Sequence, residues 1–182
     1  MELNLYLELK SQIIDLGYQS EINQIQSLLD FPCDNDTKFF KEYTWVVLNS
    51  GLKNQVAELL YYKILYAIKK GYDLNLIFRH PSKVDAIKFV LKNKTKLFYE
   101  FQSAEDKIEY LTSLPFIGPA TKYHLARNLG LDVCKPDRHL LRISKKYNTT
   151  PESLCKKISN QTKEKIGLVD VILWRAANLK LI

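Results

Sequence analysis

The chain has 182 residues, 46% of them apolar and 26% charged, which suits one folded unit of two lobes and argues against a disordered segment or two independent cores. Its 27 basic residues against 20 acidic ones leave a net charge of +7, so a polyanion, nucleic acid first, is the leading class of partner. No stretch approaches the roughly 20 apolar residues of a spanning helix, and Met1-Glu2-Leu3-Asn4 lacks a basic secretory segment. A protein of the bacterial, archaeal or viral host cytoplasm with no membrane partner is expected.

Glycine is scarce, prolines fall at boundaries, and apolar residues recur every three or four positions, which predicts an all-α chain. Leu5, Leu9, Ile13 and Leu16 form one stripe ending at Gly17, and Ile22, Ile25, Leu28 and Leu29 form a second before Phe31-Pro32. A third helix is predicted from Asp36 through Leu48. A fourth runs from Asn54 to Lys70, buries Val56, Ala57, Leu59, Leu60, Ile64, Leu65 and Ile68, and closes at Gly71. Between them, Asn49 to Lys53 is a polar break. Ser82 is expected to cap a helix through Leu91, and Ser103-Ala104-Glu105-Asp106 has the capping-box form at the head of another through Leu114. Pro119 suits the first turn of a helix to Leu129, which Gly130 ends; Asp137 opens the next, with Leu140, Leu141 and Ile143. Thr150-Pro151-Glu152 starts another. The last, from about Thr162 to Leu179, buries Ile166, Val169, Ile172, Leu173 and Ala176. Cys33, Cys134 and Cys155 lack paired spacing, and no Cys or His cluster has zinc spacing, so reduced thiols, no metal and no cofactor are expected.

Two stretches carry chemistry: Leu114-Pro115-Phe116-Ile117-Gly118-Pro119-Ala120-Thr121, and Lys135-Pro136-Asp137-Arg138-His139-Leu140-Leu141-Arg142. The first places two helices at a tight hairpin, where backbone N–H groups and the positive end of the following helix can meet a phosphate. It also reads as a plain turn between packed helices. Asp137, nineteen residues after Gly118, is an N-cap by position, and capping is compatible with catalysis. The helix dipole favours its ionised form by about 0.3 to 1 kcal/mol at exposed sites. Breaking a glycosidic bond builds positive charge on the sugar, and a carboxylate at about 4 Å offers roughly 4 kcal/mol at an effective dielectric of 20.

These two stretches resemble the helix-hairpin-helix, glycine/proline-aspartate (HhH-GPD) superfamily of DNA glycosylases, whose pattern is a Leu-Pro-x-hydrophobic-Gly hairpin followed by a catalytic aspartate. The archaeal-type 8-oxoguanine glycosylases are nearest in motif, through His124-Leu125-Ala126-Arg127-Asn128-Leu129-Gly130 and Asp137-Arg138-His139-Leu140-Leu141-Arg142. The resemblance implies a two-lobed all-α glycosylase domain over 1–182, with its cleft between the lobes, the hairpin motif at about 104–129 and the catalytic helix at about 137–147. It implies Asp137 as the catalytic residue, and Gly118, Ala120, Lys122 and Arg138 as phosphate-binding positions. Two departures stand out. Phe116 replaces the superfamily's usual glycine, so the hairpin is reshaped or the ring presses on DNA. Ala120 replaces the Schiff-base lysine of the bifunctional members, and Lys122, rotated by about 200° along a helix, faces away from the pocket.

The expected activity is therefore monofunctional: a modified base is flipped out of double-stranded DNA and its N-glycosidic bond hydrolysed by a monomeric enzyme. A glycosylase/lyase using Lys122 or Lys135, and a noncatalytic DNA-binding module, are the alternatives. Asn49, Leu52 and Asn54 are candidates for a wedge that fills the gap left by the flipped base, although the break is also a simple turn. Trp45, Phe116, His139, Asp170 and Trp174 are candidates for the base pocket, with a core role open for both tryptophans and a structural one for His139. The base itself is open among oxidised guanine, alkylated purine and hypermodified pyrimidine. The missing lysine is also compatible with defence against phage DNA that carries bulky cytosine modifications.

Overall fold

The computed structural model describes residues 1–182 and contains ten α-helices and no strand. They are α1 (Leu3–Ile13), α2 (Gln19–Asp30), α3 (Asp36–Asn49), α4 (Asn54–Lys70), α5 (Pro81–Ser103), α6 (Lys107–Leu111), α7 (Thr121–Asn128), α8 (Arg138–Lys146), α9 (Pro151–Thr162) and α10 (Ile166–Asn178). The chain divides into two compact units. One is discontinuous, Met1–Pro32 with Ala126–Ile182, and the other is the continuous stretch Cys33–Leu125. No helix is long and apolar enough to cross a membrane.

In the discontinuous unit α10 is the central element. Val169, Ile172, Leu173 and Ala176 on it are buried with Tyr6, Leu9 and Ile13 of α1, Leu140 and Ile143 of α8, and Leu154 and Ile158 of α9. The Tyr6 hydroxyl and the Lys10 ammonium both bond the Glu164 carboxylate just before α10, and Arg175 makes a two-pronged pair with Glu21 of α2 at 2.8 and 2.6 Å. In the continuous unit α3 packs on α4 and α5. Phe39 of α3 stacks with Phe98 and Phe101 of α5 at centroid distances of 6.1 and 5.6 Å, over buried Tyr43, Val47, Ile64, Val84 and Ile87.

Several elements differ from their sequence reading. Leu16 is exposed because Ile14–Tyr18 forms a widened π-turn in which Gly17, at φ 91°, rotates the chain out of the α1 stripe. The fourth helix has the predicted bounds, but Val56 and Leu59 are exposed: the burying face is Ala57, Ile64 and Ala67. The helix expected over Ser82–Leu91 is capped by His80 and runs to Ser103. Its polar stretch 92–96 is carried by Lys94 and Thr95, which bond Asp36 of α3, and Leu97, Phe98 and Phe101 then bury. Ser103 therefore ends a helix rather than heading one, and Asp106 caps the short α6 by accepting from Glu109 N at 2.9 Å. Thr162 likewise ends α9; Lys163 turns left-handed at φ 64° and α10 starts at Ile166.

Gly130 is fixed by geometry. It sits at φ 91°, and a Cβ there would lie 2.5 Å from Pro32 Cα and 2.9 Å from the Leu28 carbonyl oxygen. Gly71 has a similar left-handed φ of 72° but open space around it. Gly71→Ala should thus cost only the conformational penalty, about 1 kcal/mol, whereas Gly130→Ala should cost more than about 2 kcal/mol because backbone must also move. Urea unfolding of the two variants measures the difference; equal losses would show that the Gly130–Pro32 approach is not tight in solution.

Candidate active site

In the continuous unit, the hairpin is set by what lies on either side of Phe116. The Tyr43 hydroxyl donates to the Pro115 carbonyl at 2.8 Å, Leu114 and Ile117 are buried, and Ile117 N bonds the Leu114 carbonyl at 3.1 Å. Phe116 between them is forced to φ 61°, the left-handed region that glycine occupies at no steric cost, and its ring stays 43% exposed. The hairpin thus keeps a glycine-like turn with a phenylalanine in it, at a cost of about 1 to 2 kcal/mol.

Beyond the turn, Gly118 N is engaged: it donates to Thr121 Oγ1 at 2.7 Å, and the Gly118 carbonyl accepts from Lys122 N at 3.0 Å to start α7. Pro119 has no N–H. Ala120 N and Thr121 N make no hydrogen bond, so these two donors, not that of Gly118, are the open ones at the helix start. A methyl group on Gly118 would meet nothing within 4 Å, so the space beside it is free. Lys122 is not available as an unpaired cation. Its ammonium bonds Glu109 at 3.0 Å, and this bond raises its pKa.

The break after α3 is a tight turn with Gly51 at φ 83°. The buried Lys83 of α5 reaches across to donate to the Ser50 carbonyl, and Asn49 donates to Asn54 at 3.3 Å. Leu52 is partly exposed between them. Trp45 is partly buried, edge-on to Tyr61 at 5.7 Å. Lys83 had no role in the sequence reading. Its signal was a lone lysine among Val84, Ile87 and Val90 on a burying face, where an ammonium must find an acceptor.

In the discontinuous unit, Asp137 is the N-cap of α8. Its Oδ1 accepts from His139 N at 2.8 Å and Leu140 N at 3.0 Å, while Oδ2 makes no hydrogen bond. The side chain is partly exposed. Arg138 donates from Nε to His139 Nε2 at 3.4 Å, and Arg138, Arg142, Lys145 and Lys146 make α8 an exposed basic helix.

The loop before Asp137 is tied to α10 by two hydrogen bonds of opposite sense. Asp132 Oδ1 accepts from Gly167 N at 2.9 Å, and one turn later Lys135 N donates to Asp170 Oδ2 at 3.3 Å. The same oxygen takes the Arg127 guanidinium at 2.6 Å. Burial pushes the Asp170 carboxyl up to about 6 against the opposing pull of Arg127, with which it forms a buried ion pair. Asp170, expected in the base pocket, is only 1% exposed, and its Oδ2 is engaged by both Arg127 and the Lys135 backbone. Trp174, one turn on, is partly buried with the Arg175 guanidinium 4.7 Å over its ring. Arg127 was read only as part of a motif, yet an aspartate inside the apolar run of α10 already demanded a cationic partner.

No group of three His, Cys, Asp or Glu side chains is placed to hold a metal ion. Cys134 and Cys155 are buried with their sulfurs 3.5 Å apart, as free thiols.

Removing Arg127 leaves the Asp170 charge buried alone. Arg127→Ala should therefore destabilise the protein by about 3 to 5 kcal/mol, while the double change Arg127→Met with Asp170→Leu should recover most of that, since no charge then remains inside. Chemical unfolding of the three proteins tests this; a loss under about 1 kcal/mol for Arg127→Ala would mean that water reaches Asp170.

No family model and no curated protein matches the sequence. Solved structures do match the fold. The chain is similar to the Methanocaldococcus jannaschii 8-oxoguanine glycosylase/lyase, crystallised with a 15mer DNA containing 8-oxoguanine, at a TM-score of 0.68 and 18% identity over 96% of this chain and 98% of that one. It is also similar to the 8-oxoguanine DNA glycosylase of Thermotoga maritima, at a TM-score of 0.66 and 18% identity over 94% of this chain and 93% of that one.

Proposed function

We propose, from the premise that this chain has the all-α fold of the helix-hairpin-helix DNA glycosylases, that it is a monofunctional DNA glycosylase acting on a modified base in double-stranded DNA. The observation that carries the proposal is Asp137: one carboxylate oxygen is locked by two backbone N–H groups, and the other is unbonded at the head of a basic helix. The locked oxygen fixes the group without a mobile partner. The unbonded one faces the sugar as positive charge develops on it, and then orients the water that attacks the anomeric carbon. Arg138 and the other cations of α8 hold phosphates, as do the open N–H groups of Ala120 and Thr121. Leu52, on the turn braced by Lys83, and its neighbours Asn49 and Asn54 supply the wedge. Trp45, Trp174 and His139 are left as pocket candidates, each partly exposed.

Hydrolysis rather than lyase chemistry is favoured by Ala120 in the hairpin and by the Lys122–Glu109 bond, which keeps that amine protonated. One observation favours a second reading. The Lys135 amine, two residues before Asp137, makes no ion pair, and burial lowers its pKa, with Arg127 adding to the effect and Asp137 and Asp170 opposing it. The two readings part on one assay. For a monofunctional enzyme, product strands stay intact until alkali or heat is applied and borohydride traps no protein–DNA adduct; an adduct lost in Lys135→Gln would establish the lyase.

The glycosylase reading itself is tested at Asp137. Asp137→Asn keeps the cap and should keep DNA binding, but should lower single-turnover excision by at least about 10²-fold, the scale of one lost electrostatic stabiliser. Release of bases from damaged cellular DNA and from modified phage DNA, identified by mass spectrometry, supplies the substrate. Unchanged excision in Asp137→Asn would refute the catalytic assignment, and no released base at all would leave a DNA-binding module.

A further inference from the structure

Phe116 is an expensive residue whose expense the fold does not need. A phenylalanine held at φ 61° is strained, and glycine would sit there without strain. The usual compensation is burial, but the ring is 43% exposed, so it adds little to the core. Nor is the strain a by-product of a loose turn, because Tyr43 fixes Pro115 on one side and the buried Ile117 fixes the other. The turn therefore presents an aromatic ring rigidly to the outside.

What surrounds the ring indicates its partner. The His80 imidazole stands edge-on to it at 6.0 Å and 81°, and Phe78 lies 5.6 Å behind His80, so three rings form one ledge. Exposed Arg79 adjoins it in the chain. Two residues beyond Phe116, the space beside Gly118 is free, and the next N–H groups are open to an anion. An aromatic ledge beside an anion-binding turn on a chain of net charge +7 has the composition of a single-stranded nucleic acid platform, where a base stacks and its phosphate is held nearby.

We infer that Phe116, braced by His80, is a stacking platform for an unpaired nucleobase, so that the DNA held at this hairpin is locally opened rather than fully paired. The inference rests on the DNA-binding reading above and adds the form of the DNA. A paired base is already stacked on both faces and has none to offer, whereas an unpaired one does. Stacking also tolerates any base, so the platform contributes affinity without choosing the sequence.

The test compares the wild-type protein with Phe116→Ala, Phe116→Gly and Phe116→Trp on two unmodified DNAs, a fully paired duplex and the same duplex with a central unpaired thymine run, by fluorescence anisotropy. Wild type should prefer the opened DNA; Phe116→Ala and Phe116→Gly should lose about 10-fold on it and stay within about twofold on the duplex, and Phe116→Trp should keep the preference. Phe116→Gly should unfold at the same temperature as wild type or higher, which separates a lost contact from a lost fold. A 2-aminopurine placed in the unpaired run should be quenched by wild type and not by Phe116→Gly. Equal losses on both DNAs, or no loss on either while duplex binding persists, would overturn the platform and leave the glycosylase reading standing. Absence of binding to either DNA by the wild type would sink both. A wild-type dimer abolished by Phe116→Ala with DNA binding intact would assign the ring to a second copy of the chain and overturn the inference.

Discussion

The buried carboxylate of Asp170 is the constraint on which the candidate site depends. A charge inside an apolar helix must be paired, and the pairing it finds joins three parts of one unit: α10 itself, the end of α7 through Arg127, and the irregular loop through Lys135 N. That loop has no helical ladder to set its course, so its position is defined by Asp170 and by the Asp132–Gly167 bond one turn earlier. Asp137 follows two residues after the second tie, and its own cap completes the placement. The carboxylate proposed for catalysis is thus positioned by another carboxylate that is held in a buried ion pair.

The two groups illustrate how environment divides one side chain type between roles. Asp170 is almost fully buried and is pushed up by desolvation, against which Arg127 and the Lys135 backbone N–H favour its charged form. Asp137 remains partly exposed at a helix start and keeps one oxygen unengaged. A similar division holds for the lysines. Lys83 is consumed in bracing the turn at Ser50 and Lys122 in pairing with Glu109, whereas Lys135 is partly desolvated and unpaired.

Helix existence and most ends were legible because caps and left-handed glycines are local signals: α4 closes at Gly71, α7 at Gly130, and α8 and α9 open at Asp137 and Thr150 as their residues indicate. The errors arose where tertiary contacts outvoted the local pattern. Residues 92–96 look like a break, but Asp36 on another helix satisfies Lys94 and Thr95 and the helix continues. Val56 and Leu59 lie on the apolar period yet stay more than half exposed. The hairpin and Asp137 could be read from motif and spacing. The partners of Gly118 N, Lys122 and Asp170 could not, since each depends on which residue three or more positions away turns toward it.

The division of the chain also bears on how it is made. Residues 33–125 form one unit from a single uninterrupted stretch, whereas the other unit needs both ends of the chain. During synthesis the first can acquire all its contacts while α8 to α10 are still untranslated, and α1 and α2 must wait with Tyr6, Leu9 and Ile13 uncovered until α10 emerges. Closing a flexible intervening segment of roughly 90 residues would cost about 4 kcal/mol in chain entropy. A middle unit that is already folded shortens that loop, so the order of translation favours assembly of the half that carries Asp137 last.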